Sequence, residues 1–357
     1  MTIDTQQEID FPTDKPQIYI DEKDLDLIAK KQQNEYSLFR FDAEMVLKKI
    51  PDESIDLIIT SPPYNLSKEY EKKKKITMSE YFDWQGRIIS LCYKKLKPTG
   101  SICWQVGYNN KLDKNPKNHE YGPLDYEFHP IFKKNNFIMK NRIVWAFGHG
   151  ANNKNNFSAR HEVIMWYTKS AEYVFNLDDI RIKQKYPGKQ GSNKKSLNYQ
   201  KITSEKGGKN PEDVWFEEMQ SNFWQIPNVK SHHPEKYMQE IEKKGEILSI
   251  PVHPCQFPVA LASRLVIGLS KIEATVLDPF CGLGTVGVSC ALTNRKFIGI
   301  DIDEEGKYLE IAKERIEEAS VNNLTHIRDD KPVADHKKSY LWKDFDWDKW
   351  ELKNKKK

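Results

Sequence analysis

The side chains best placed to do chemistry lie in one stretch, Leu57-Ile58-Ile59-Thr60-Ser61-Pro62-Pro63-Tyr64-Asn65. Its apolar, β-branched run reads as a buried strand. Pro62 and Pro63 carry no N–H and fix φ, so the strand ends there in a stiff turn. Ser61 and Tyr64 are then held at the carboxyl end of a strand, where open α/β sheets bind their ligands. A hydroxyl, the Pro62 carbonyl and an aromatic ring in that place suit the edge and face of a planar base carrying an exocyclic amine. Read alone, the same residues also describe a plain rigid strand-to-loop turn.

A second stretch, Asp278-Pro279-Phe280-Cys281-Gly282-Leu283-Gly284-Thr285, has different chemistry. Gly282, Gly284 and Gly287 form G-x-G-x-x-G between an expected strand and an expected helix, and Asp301 follows about 20 residues on. Glycines let a nucleoside approach the backbone, and an acid takes ribose hydroxyls. Taken alone, this fits NAD as well as S-adenosyl-L-methionine. Asp278 tips the balance: a carboxylate there repels a pyrophosphate and welcomes the ammonium of a methionine moiety.

The elements that position these residues alternate in type. Strands are expected at 36–41, 55–60 and 101–106, with helices at 43–49 and 81–96. Pro98-Thr99-Gly100 should close the second of these helices. A helix at 125–134 precedes two strands, 138–147 and 162–167, joined by a Gly- and Asn-rich loop at 148–158. An amphipathic helix at 259–269, a strand at 275–277, a helix at 286–292, a strand at 297–300 and a charged helix at 304–319 complete the pattern. The expected fold is α/β: a doubly wound, mostly parallel sheet with a late antiparallel hairpin. Five regions follow: an arm (1–35), a catalytic half (36–170), a recognition region (171–250), a cofactor half (251–320) and a basic tail (321–357).

Composition sets the class. The chain has 357 residues, 38% hydrophobic and 30% charged, which suits a soluble globular protein with a large core. No apolar run approaches a membrane span and no signal-peptide pattern opens the chain. The five cysteines form no Cys-x-x-Cys pair, so neither a disulfide framework nor a zinc site is indicated and a reduced, cytoplasmic setting fits. Net charge is only +4, but its distribution is uneven. Between 171 and 250 core periodicity is lost, and Lys183, Lys185, Lys189, Lys194 and Lys195 are interleaved with Tyr173, Tyr186 and Tyr199. Lysines neutralise phosphates and aromatics stack on bases, so this region reads as a contact with double-stranded DNA. A solvated loop-rich insertion has the same composition. The lysine run 72–75 reads first as a solvated loop.

With both stretches in view, the chain resembles the DNA amino-methyltransferases, which methylate cytosine N4 or adenine N6. Ser-Pro-Pro-Tyr matches their catalytic motif and Asp-Pro-Phe-Cys-Gly-Leu-Gly-Thr their cofactor motif. Catalytic motif first and cofactor motif last is the circularly permuted, β-group order. The resemblance covers about residues 36–320 and implies a class I methyltransferase fold. It assigns Ser61, Pro62, Pro63 and Tyr64 to catalysis on a flipped-out base. Asp278, Pro279, Phe280, Gly282, Gly284, Thr285 and Asp301 would bind S-adenosyl-L-methionine. Asp42, after Phe41, resembles the acid near the adenine ring. His253, Pro254 and Phe257 belong to a segment that covers the methionine end, and Arg160-His161-Glu162 resembles the motif before the last strand. No metal is implied. The resemblance further implies a prokaryotic modification enzyme, monomer or homodimer, sharing its site with a cognate restriction endonuclease without stable binding.

Three rivals fit less of the chain. Pro254-Cys255-Gln256 is also the tripeptide of cytosine-C5 methyltransferases, but there it follows the cofactor motif, and Ser-Pro-Pro-Tyr would be idle. A nicotinamide dehydrogenase leaves the double proline unexplained. A non-enzymatic DNA-binding protein explains the basic insertion and neither motif. Between target bases, Ser61 favours cytosine: its hydroxyl can accept from the amine and also donate to a ring acceptor.

Overall fold

A computed structural model describes residues 15–26, 28, 35–66, 76–109, 122–146, 157–180, 210, 211, 213–216, 236–243, 246–252, 255, 256 and 258–321. The elements in order are β1 (Gln17–Tyr19), α1 (Glu22–Leu25), β2 (Tyr36–Arg40), α2 (Ala43–Lys49), β3 (Ile55–Thr60), α3 (Met78–Lys95), β4 (Leu96–Val106), α4 (Leu124–Lys134), β5 (Ile138–Ala146) and β6 (His161–Thr168). After a 3₁₀ turn at Leu177–Ile180 come β7 (Val214–Phe216), β8 (Met238–Lys243), β9 (Glu246–Pro251), α5 (Val259–Leu269), β10 (Thr275–Asp278), α6 (Thr285–Leu292), β11 (Lys296–Asp301) and α7 (Lys307–Val321).

Among the described residues a nine-stranded sheet runs β1-β2-β11-β10-β3-β4-β6-β5-β7, and β8 and β9 form a separate hairpin. Pairing is parallel from β1 to β4, antiparallel for β4–β6 and β6–β5, and parallel again for β5–β7. This is the expected mostly parallel sheet with a late antiparallel hairpin. Both faces of the sheet are covered, which is why its central strands are apolar without interruption. Leu57 and Ile59 of β3 point into a layer with α5, α6 and α7, while Ile58 points into one with α2, α3 and α4. Helix α3 starts at a capping box in which the Thr77 and Glu80 side chains each accept from the other's backbone N–H.

Four local expectations are corrected. The arm is not peripheral throughout: β1 extends the sheet beside β2, and Tyr19, Leu25 and Ile28 are buried. Runs this short carry no periodicity to read. Helix α3 passes directly into β4, whose pairing slips between Ile55↔Leu96 and Leu57↔Ser101. Pro98 and Gly100 lie within that irregularity rather than ahead of the strand. Helix α5 is buried at every position, Arg264 included, and is not amphipathic. Its outer side is covered by residues 171–180, where Asn176 Nδ2 donates to the carbonyls of Ile267 and Ser270, both at 2.8 Å. Those residues therefore pack against the core, with Ile180 buried, rather than belonging to the insertion. Tyr173 packs edge-on against Trp166 at 5.7 Å, so it is no base-stacking ring.

Candidate active site

The strand order sets four site segments in a row along one sheet edge. Asp42 follows β2, Asp301 ends β11, Asp278 ends β10 and Ser61 follows β3, and each of these strands pairs in parallel with the next. The two sequence motifs meet directly: Thr60 Oγ1 donates to Asp278 Oδ1 at 2.6 Å. Both side chains are buried, at 0% and 2% exposure, so this bond is shielded from water and holds the two strand ends together.

The turn after β3 is held from below. Asn65 adopts φ 55°, a left-handed conformation that asparagine tolerates better than most residues. Buried Asn109, just past β4, donates from Nδ2 to the Tyr64 carbonyl at 2.6 Å and to the Asn65 carbonyl at 3.3 Å. Ser61 Oγ and the Tyr64 hydroxyl share a hydrogen bond of 3.2 Å. Ser61, Pro63 and Tyr64 remain partly exposed while Pro62 is buried. Burial, then the Glu162 carboxylate, push the Tyr64 hydroxyl well above its ordinary value, so it stays protonated at neutral pH.

Asp278 and Asp301 form the other half. Asp278 Oδ1 also accepts from the Phe280 N–H at 3.1 Å. Asp301 accepts from the Gly282 N–H at 2.9 Å and the Asp303 N–H at 3.0 Å. Burial pushes Asp278 up to about 7 and Asp301 up to about 6 despite these bonds. Neither has an ion-pair partner among the described residues, and a cationic ligand with a diol would complete both. S-Adenosyl-L-methionine has that chemistry: its ammonium suits Asp278 and its ribose hydroxyls suit Asp301. The glycine loop leaves no slack. Gly284 has φ 70°, and a Cβ there would stand 2.8 Å from the Ala312 Cβ.

Several expected residues have other surroundings. The Thr285 hydroxyl lies in the interior, 3.5 Å from Arg315 Nη1, so its side chain serves the packing of α6 on α7 rather than the cleft. Phe280 turns its ring onto Trp84 at 5.7 Å and Trp104 at 6.3 Å. Asp42 caps α2, accepting from the Glu44 N–H at 2.8 Å. His253, Pro254, Phe257, Lys183, Lys185, Lys189, Lys194, Lys195 and the 72–75 run lie outside the described residues. Cys255 is exposed.

Reading the motifs missed Thr60 and Asn109, which look like ordinary strand and loop positions. It also missed buried Arg315, whose Nη1 donates to the Leu283 carbonyl of the glycine loop. Arg315 stands in a charged helix that reads as solvated. Gln105 is a fourth, donating from Nε2 to Glu162 Oε2 at 2.5 Å.

The architecture, with its two motifs joined at adjacent strand ends, is that of a class I methyltransferase fold. A DNA methylase family model, that of the N6 and N4 methyltransferases, matches residues 55–314, and the chain belongs to this family. It is an S-adenosyl-L-methionine-dependent DNA methyltransferase. The type II methyltransferase M.BglII of Bacillus subtilis is 37% identical over 285 residues, covering 79% of this chain and 69% of that protein. M.ScaI of Streptomyces caespitosus is 32% identical, covering 78% and 81%. The DNA adenine methyltransferase YhdJ of Escherichia coli (strain K12) is 31% identical, covering 78% and 82%. Among solved structures, the cytosine-N4-specific PvuII DNA methyltransferase superposes with a TM-score of 0.56 at 19% identity, covering 80% of this chain and 90% of that one. The DNA modification methylase TTHA0409 of Thermus thermophilus, complexed with S-adenosyl-L-methionine, superposes at 0.50 with 22% identity, covering 79% and 93%.

Proposed function

We propose that the protein methylates the exocyclic N4 of a cytosine flipped out of duplex DNA, as the modification enzyme of a restriction-modification system. The observation that carries this reading is the Thr60–Asp278 bond, which sets the hydroxyl of Ser61 one residue away from the cofactor carboxylate's partner. An exocyclic amine is a poor nucleophile because its lone pair is delocalised into the ring. Acceptance of its N–H bonds by Ser61 Oγ and the Pro62 carbonyl draws the nitrogen toward a tetrahedral form and frees the lone pair. Tyr64 stacks on the base once it leaves the duplex. S-Adenosyl-L-methionine supplies an electrophilic methyl group. Asp278 and Asp301 hold it, with Gly282 and Gly284 allowing close approach and the segment of His253, Pro254 and Phe257 covering its methionine end.

Adenine N6 is the second reading, favoured by the 31% identity to an adenine methyltransferase. Ser61 supports cytosine because one hydroxyl can accept from the amine and donate to the ring N3. Mass spectrometry of nucleosides from treated DNA decides between them. N4-methylcytosine is expected, and N6-methyladenine in its place would overturn the assignment.

Lys183, Lys185, Lys189, Lys194 and Lys195 are proposed as phosphate contacts, and the region around them as the reader of the target sequence. No helix among the described residues is long and apolar enough to cross a membrane, and a cytoplasmic enzyme acting on double-stranded DNA fits this reading. A restriction endonuclease of the same specificity would share the site without stable binding.

A further inference from the structure

Drawing a base out of a duplex leaves a gap in the stack, and the bases on either side lose a face of contact. A flat apolar side chain entering that gap restores the contact, and phenylalanine is among the residues that wedge between base steps in this way. Among the described residues four large aromatic side chains are exposed: Tyr108, Tyr126, Phe157 and Phe175. Phe175 stacks on Trp166 at 5.6 Å, and the two tyrosines carry a hydroxyl that water can solvate. Phe157 has neither. It is fully exposed and has no ring partner among the described residues, so its whole apolar face is left in water.

Phe157 also stands at the end of the sheet where the site is built. β6 runs antiparallel to β4, with Val163 opposite Val106, so the start of β6 lies at the carboxyl edge of the parallel strands, where Ser61 follows β3. Glu162 of β6 and the Tyr64 ring meet there: each stands 3.4 Å from where a Cβ on Gly107 would sit. Phe157 precedes Glu162 by five residues, so the two Cα atoms are at most about 18 Å apart. Tyr108 follows β4 on the same edge. The Leu124 N–H donates to the Gly107 carbonyl at 3.2 Å, which places Tyr126, in the first turn of α4, on that edge too. We infer that Phe157 is the residue that enters the duplex stack and fills the gap left by the target base. This inference rests on the flipped-base reading above. The ring touches neither the amine nor the cofactor in this role, so it is a positioning residue: it favours the extrahelical base and takes no part in the methyl transfer itself.

The test compares single-turnover methylation, at saturating S-adenosyl-L-methionine and DNA, of a duplex with a matched target base and of one whose target faces a mismatch. A mismatched base is already loosened and needs less help to leave the stack. Phe157→Ala should lower the matched-target rate about tenfold to a hundredfold, the worth of one base–aromatic stack. On the mismatched duplex, where the flipped state is easier to reach, the loss should be much smaller. Phe157→Trp should keep the wild-type pattern and Phe157→Leu part of it. Cofactor affinity and the thermal midpoint of Phe157→Ala should stay at wild-type values, because a fully exposed side chain adds little to the fold. An unchanged matched-target rate in Phe157→Ala would overturn the wedge. Equal losses on the two duplexes would overturn it too, since they describe an ordinary DNA contact. So would a changed oligomeric state with unaltered methylation, which describes a contact between copies of the chain. A wild-type enzyme that places no methyl on an exocyclic amine in either duplex would instead overturn the reading beneath it.

Discussion

Asp278 and Asp301 illustrate at the residue scale what burying two carboxyl groups does to folding and to the proposed binding of a cation. Burial raises Asp278 to about 7, above the unfolded value of about 4, so the folded chain binds more protons between those pH values. The stability this carboxyl contributes is therefore fully present below about pH 4 and is lost as pH rises through 7. Its share is on the order of 3–4 kcal/mol for a shift of that size. In the proposed site the ammonium of S-adenosyl-L-methionine needs the ionised form of Asp278, so affinity should have the opposite slope. We predict that cofactor affinity falls roughly tenfold per pH unit below 7, with Asp301 adding a second titration near 6. Asp278→Asn should bind weakly at every pH yet melt at a higher temperature than wild type at pH 8 without cofactor. Calorimetry and thermal melts from pH 5 to 9 would read both slopes, and a pH-independent wild-type affinity would contradict the assignment. Cys255 is exposed, and we predict that it takes no part in this chemistry. Cys255→Ser should retain substantial activity, and fluorocytosine DNA should fail to trap the enzyme covalently.

At the scale of elements, each half of the site hangs on a backbone feature held by a buried side chain. Asn109 satisfies two carbonyls of the turn after β3. Asn109→Ala would remove both bonds, at a cost of about 1–3 kcal/mol, and should weaken productive base binding while sparing the cofactor. Gly284→Ala acts on the other half. Its φ of 70° and the 2.8 Å clash with Ala312 should lower the thermal midpoint and the cofactor affinity together. Much of this frame was legible in the residues. The double proline, the glycines and the β-branched runs state their own backbone demands, and β3, α2, β10 and β11 lie where periodicity puts them. Thr60, Asn109 and Arg315 were illegible because their roles depend on partners more than thirty residues away. The burial of α5 was hidden for the same reason: its cover, 171–180, has the composition of a loop.

For the whole molecule, the chain order of the two motifs matters less than the sheet order. β3 and β10 are remote in sequence yet adjacent in the sheet. A chimaera carrying a foreign segment from 181 to 235 should change or lose site preference while S-adenosyl-L-methionine still binds. Replacing its lysines should weaken binding to every sequence and flatten the salt dependence. Retention of the original target by such a chimaera would move recognition elsewhere, to the 148–158 loop or the basic tail. The central claim is that these two strand ends divide the labour of one reaction. Its most direct test is to measure S-adenosyl-L-methionine affinity and single-turnover methylation of duplex DNA in Ser61→Ala and Asp278→Asn side by side. The account predicts wild-type affinity with a rate lower by a factor of about 10² for Ser61→Ala, and lost affinity for Asp278→Asn. Wild-type turnover in Ser61→Ala, or undiminished cofactor binding in Asp278→Asn, would contradict it.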